Sequence, residues 1–206
     1  MLLKLKKELL LKYLFLFVLL FACTAGICSA SYIVIITLMI CGVFMTSSAF
    51  ETAISDNAKF EGLVLDVIFR FSVCGVAVVA VGINKGFRAW YAILIYSVYL
   101  FALSVRLINH FASAARAEGQ KKKKYMTDLQ EAAVTLVLPA IYLLSAIPSR
   151  LFEIVYYVFL GFFAAFFMIN LKIKRFSKKI MLIFGIAEAL ILIAVLVFTL
   201  TGLFTA

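Results

Sequence analysis

Glu61-Gly62-Leu63-Val64-Leu65-Asp66-Val67-Ile68-Phe69-Arg70-Phe71-Ser72-Val73-Cys74-Gly75 is the stretch whose reading decides the fold. It opens a long apolar run and carries two opposite charges inside it. Asp66 and Arg70 stand four residues apart, so on a helix they share one face. At 1.5 Å of rise per residue, Arg70 lies about 12 Å along the helix from Gly62. An ion left unpaired at that depth in lipid would cost several kcal/mol. The pattern therefore predicts a membrane helix whose two charges turn inward and pair, the acid on the favourable N-terminal side of the base.

The rest of the chain agrees with a membrane environment. Of 206 residues, 66% are hydrophobic and 15% charged. No soluble domain of this length buries so much apolar side chain. Crossing a bilayer takes roughly 20 apolar residues, and the runs are continuous rather than alternating, which excludes a porin-like barrel. Seven runs fit, at about 10–28, 31–50, 62–82, 89–112, 129–147, 151–171 and 180–203. The expectation is all-α: a polytopic membrane helix bundle of about seven transmembrane helices, one domain over 1–206, preceded by a short interfacial helix over 1–12. The first run is too long for a signal peptide and reads as a retained span.

Orientation follows from the basic residues. With the N-terminus inside, the inner segments hold sixteen Lys and Arg and the outer links three, Lys85, Arg88 and Arg150. That asymmetry predicts a multi-pass cell-membrane protein with a cytoplasmic N-terminus. It also accounts for most of the formal charge of +10. Asn84-Lys85-Gly86 reads as a turn, with Trp90 and Tyr91 as interface anchors. Asp128 with Glu131 reads as a variant capping box opening the fifth span. Cys23, Cys28, Cys41 and Cys74 lie inside apolar runs without metal-ligand spacing, and read as inert buried thiols. Glu188 in the last run reads as an interhelical hydrogen-bonding group.

A polar set gathers at the predicted cytoplasmic ends of the third and fourth spans. It comprises Gly62, Asp66, Arg70, Gly75, Arg106, Asn109 and His110, followed by Lys121, Lys122, Lys123 and Lys124. Cationic side chains around glycine-thinned helices suit a phosphorylated headgroup.

Here the sequence resembles the CDP-alcohol phosphatidyltransferases, and among them the phosphatidylserine synthases. Gly62 and Asp66 match the glycine and third aspartate of that family's motif, D-x-x-D-G-x-x-A-R, eight residues, then G-x-x-x-D-x-x-x-D. Leu65, Asp66 and Gly75 match the synthases' LD-x-x-x-x-x-x-x-G. Arg106-Leu107, the lysine run, Tyr125-Met126-Thr127-Asp128-Leu129 with Ala132-Ala133, and Met168-Ile169-Asn170 with Lys174-Arg175-Phe176-Ser177-Lys178 follow in the family's order. The other motif positions depart from it. The first two aspartates fall on Met45 and Ser48, the A-R pair on Thr52-Ala53, and the fourth aspartate on Arg70.

The resemblance implies membrane lipid as partner, either CDP-diacylglycerol or an anionic phospholipid. Nucleic acid is not implied, and a homodimer stays open. With one motif carboxylate left, and a guanidinium where a general base should stand, it implies a degenerate metal site and a pseudoenzyme. Mg²⁺ or Mn²⁺ is expected only if an altered site still works in phospholipid biosynthesis. Two alternatives remain: an active phosphatidyltransferase, and a transporter or accessory subunit.

Overall fold

A computed structural model describes residues 13–14, 17–18, 20–21, 31–46, 59–116, 125–126, 129–146, 149–169, 173–174 and 178–201. Helices dominate. In chain order they are α1 (Ser31–Thr46), α2 (Lys59–Phe71), α3 (Ala77–Asn84), α4 (Trp90–Arg116), α5 (Leu129–Tyr142), α6 (Ser149–Met168) and α7 (Lys178–Leu200). The described positions between 13 and 21 are helical as well. Two two-residue strands, β1 (Tyr125–Met126) and β2 (Ile173–Lys174), pair antiparallel with Tyr125 opposite Lys174. This pairing was not expected from the sequence, because two residues carry no alternation to read.

Among the described residues, three segments are long and apolar enough to cross a membrane: Val64–Asn84, Trp90–Ala112 and Arg150–Met168. Ala133–Ser145 and Ala189–Leu200 are shorter apolar helices. Of the seven runs expected, those at 62–82, 89–112 and 151–171 correspond to the three long segments, with boundaries shifted by a few residues as helix ends commonly are. The interfacial helix expected over 1–12 and the lysines at 121–124 lie outside the described residues.

Helices α2 and α3 are one rod with a wide turn in it. Ser72–Val76 is π-helical, and the Ala77 N–H donates five residues back to the Ser72 carbonyl. The rod ends at the predicted turn. Gly86 has φ 84°, a left-handed conformation that a side chain disfavours. Pro139 sits inside α5, where it removes one backbone donor, and the helix tightens into a 3-10 turn over Leu143–Ala146.

The core lies where α4 packs along α6 and where α1 meets α3, α5 and α7. Its largest buried side chains include Leu38, Phe69, Tyr99, Leu103, Leu107, Leu138, Tyr142, Phe152 and Tyr156. The phenylalanine-rich face of α6 divides between two environments. Phe159, Phe163 and Phe167 are buried, whereas Phe162 is exposed. The outward faces of α4, α6 and α7 are apolar too, with Ile93, Leu94, Val98, Phe101, Ile154, Val158, Ile183, Leu190 and Ile193 all exposed. Contiguous apolar surface of that kind marks an apolar surrounding or a partner.

Candidate functional site: a three-helix charge cluster

The cluster is built on helical phase. On α4, Leu103, Arg106, Leu107 and His110 follow the three-to-four-residue spacing of one face. Arg106 is buried with the leucines, at 4% exposure, while Ile108 and Asn109 on the neighbouring faces are exposed. Asn109 was expected in the site. The structure places it outside, because a one-residue step rotates a side chain by about 100°.

On α2, Arg70 Nε donates to Asp66 Oδ2 at 2.7 Å, the pairing that their spacing predicts. Arg70 is 6% exposed, and the carboxylate end stays partly open. His110 Nε2 lies 3.9 Å from the same Asp66 Oδ2. Arg106 Nε lies 3.7 Å from Glu131 Oε1 on α5. Helix α4 is therefore the hub, linked through His110 to α2 and through Arg106 to α5. Two carboxylates face two guanidiniums, so the four fixed charges sum to zero.

The sequence reading gave Glu131 a capping-box role with Asp128, which lies outside the described residues; the structure shows the Glu131 side chain fully buried. The signal was present: Glu131, Val134, Thr135, Leu138 and Tyr142 form one helical stripe, and all five are buried. Gln130 was missed as well. Its Nε2 donates to the Phe166 carbonyl at 2.5 Å and to the Ile169 carbonyl at 2.9 Å, tying α5 to the last turn of α6. Cys74 is buried as expected, and its Sγ lies 3.7 Å from the Glu131 carbonyl.

No family model, curated protein or solved structure matches this chain. The arrangement must therefore be read from its own chemistry.

The two glycines behave differently. A Cβ on Gly75 would meet the side chains of Leu100 and Leu103 at 3.1 Å, so α4 crosses the rod closely there. Gly62 sits in α2 one turn ahead of Asp66, and its contacts lie outside the described residues. So does the side chain of Glu188, whose backbone is part of α7.

The donor set does not suit the Mg²⁺ or Mn²⁺ that an altered but working site would need. Among the described residues, no three His, Cys, Asp or Glu side chains converge to hold a cation. Asp66 is engaged by Arg70 and His110. Hard divalent cations need several oxygen ligands. What the cluster offers is two oriented guanidiniums and an imidazole at one end of three helices.

Proposed function

We propose that the chain is a seven-span cell-membrane protein, N-terminus cytoplasmic, whose α2–α4–α5 cluster holds an anionic phospholipid headgroup at the cytoplasmic face without chemistry. One observation carries this reading. Arg70 and Arg106 lie on two helices that pack together, each beside a carboxylate, and His110 lies near the Asp66 carboxylate that Arg70 holds. Guanidiniums held in place lose little freedom when they meet a phosphate. Asp66 is partly open, which gives a headgroup a way to reach the pair. Sixteen inner basic residues against three outer ones support the cytoplasmic assignment. The resemblance to phosphatidylserine synthases supports a phospholipid or nucleotide-lipid as the class of ligand.

The balance of charge favours a second reading, in which the cluster is an internal bolt between helices and meets no ligand. The two are separated by thermal unfolding in detergent micelles doped with phosphatidylglycerol, CDP-diacylglycerol or phosphatidylcholine. Headgroup binding raises the Tm with the anionic lipids alone, and Arg106→Gln reduces the rise. An internal bolt leaves the Tm blind to headgroup charge. Release of CDP from CDP-diacylglycerol with Mn²⁺ and serine, glycerol phosphate or inositol would overturn the absence of chemistry.

A further inference from the structure

The cluster depends on the angle at which α2 leaves the wide turn. An α turn closes on the fourth residue and a π turn on the fifth, so Ser72–Val76 holds one residue more than an α path would. Moving that extra residue out of the turn rotates α2 by about 100° against α3. Leu65 and Phe69 would then replace Asp66 and Arg70 opposite His110, and ions would enter the apolar packing. Something must hold the turn where it is.

The backbone of the turn accepts from a side chain of another helix. The Tyr99 hydroxyl of α4 donates to the Cys74 carbonyl at 2.5 Å, in the middle of the π segment. Tyr99 is fully buried, and Gly75 beside it lets α4 approach closely. A turn wider than α has a looser backbone ladder, and an external donor offsets that. Hydroxyls on Tyr96 and Tyr156 also reach backbone carbonyls, but those belong to Phe87 and Val78, outside the π turn.

We propose that Tyr99 is a positioning residue: its bond to the Cys74 carbonyl holds the π turn, and the π turn sets the phase at which Asp66 and Arg70 enter the cluster. This rests on the headgroup reading only for its effect on ligand. Its effect on the ion pair stands alone. Tyr99 acts on Asp66 from about 12 Å along the helix, the rise over eight residues.

The test is a double-mutant cycle in Tm between Tyr99→Phe and Asp66→Asn. Distant sites that do not communicate give additive losses. If Tyr99 sets the phase, the loss caused by Asp66→Asn is at least halved in the Tyr99→Phe background. Deleting Val73 supplies the second arm, since one residue fewer lets the segment close as α with both flanks in phase. In that background Asp66→Asn costs the same whether or not Tyr99 is replaced. Additive losses in the first cycle would overturn the proposal, and that cycle decides even if the deletion fails to fold. In the lipid arm, Tyr99→Phe should at least halve the Tm rise given by phosphatidylglycerol. If the unaltered protein shows no such rise, the headgroup reading falls, while the Asp66–Tyr99 cycle still decides the role of Tyr99.

Discussion

The two ends of the α4–α6 region are built on opposite principles. One end holds Asp66, Arg70, Arg106, His110 and Glu131. The other holds a knot of rings, in which Phe87 lies 5.7 Å from Phe152 and from Tyr156, and 5.8 Å from Tyr157. Its hydroxyls are used locally, Tyr156 to the Val78 carbonyl at 2.6 Å and Tyr96 to the Phe87 carbonyl at 3.0 Å. The ring end gains stability in small increments from area and contact, and each ring can be exchanged for another of similar volume at modest cost. At the charged end every ion requires its counterpart. Losing one member strands the other, whereas losing both does little harm. Tolerance at one end and all-or-none dependence at the other is what the molecule teaches.

The largest effect should come from Glu131→Ala. It leaves the Arg106 guanidinium buried without its carboxylate, and breaking such a pair typically costs about 3–5 kcal/mol. Adding Arg106→Leu should recover most of the loss in thermal unfolding. A double variant no more stable than Glu131→Ala would show that the pair is not the unit, and the contrast between the ends would break.

Asp66→Ala should cost less, about 2 kcal/mol, because part of the carboxylate reaches solvent and is screened. Arg70→Leu in the same chain should restore much of it. Strictly additive losses, measured in the same unfolding assay, would mean that the 2.7 Å contact carries no coupling.

At the ring end, Gly82→Ala places a methyl against the hydroxyl of Tyr96 and the ring of Tyr156. Overpacking of this kind costs roughly 1–3 kcal/mol. Tyr156→Phe removes one hydrogen bond and should cost about 1 kcal/mol. A loss as large as that of Glu131→Ala would show that the aromatic end is as intolerant as the ionic one.

The smallest effect belongs to Lys85, in the turn after α3, whose ammonium lies 5.1 Å from the centre of the Tyr142 ring. Burial lowers its pKa from the ordinary 10.5. The unfolded chain then binds the proton more tightly than the folded one. The penalty is full below the folded pKa and vanishes above 10.5, so stability rises with pH across that window. Lys85→Met should flatten this slope in unfolding curves taken from pH 8 to 10.5. An unchanged slope would place its origin elsewhere.

Much of the helical plan is legible in the sequence. Continuous apolar runs mark the rod through Val64–Asn84, the long α4 and α6, since each must hide its backbone and its side chains from water. The Asp66–Arg70 pair is equally legible, because a four-residue spacing is a local property of one helix. So is the turn at Gly86. Glu131 is harder to read: local pattern admits it both as a capping acid and as a member of a buried stripe. Only the tertiary structure shows it buried, with Arg106 of α4 3.7 Å away.

The sequence by itself determined where helices run and which charges sit four apart, because both follow from the rise and pitch of one chain segment. Tertiary structure decided the rest. It brought Arg106 to Glu131, left Asn109 exposed, and set Tyr99 against the Cys74 carbonyl. The physical reason is rotation. A helix fixes the angles among its own side chains, but its angle to its neighbours comes from their packing, and one added residue in a π turn changes that angle by about 100°.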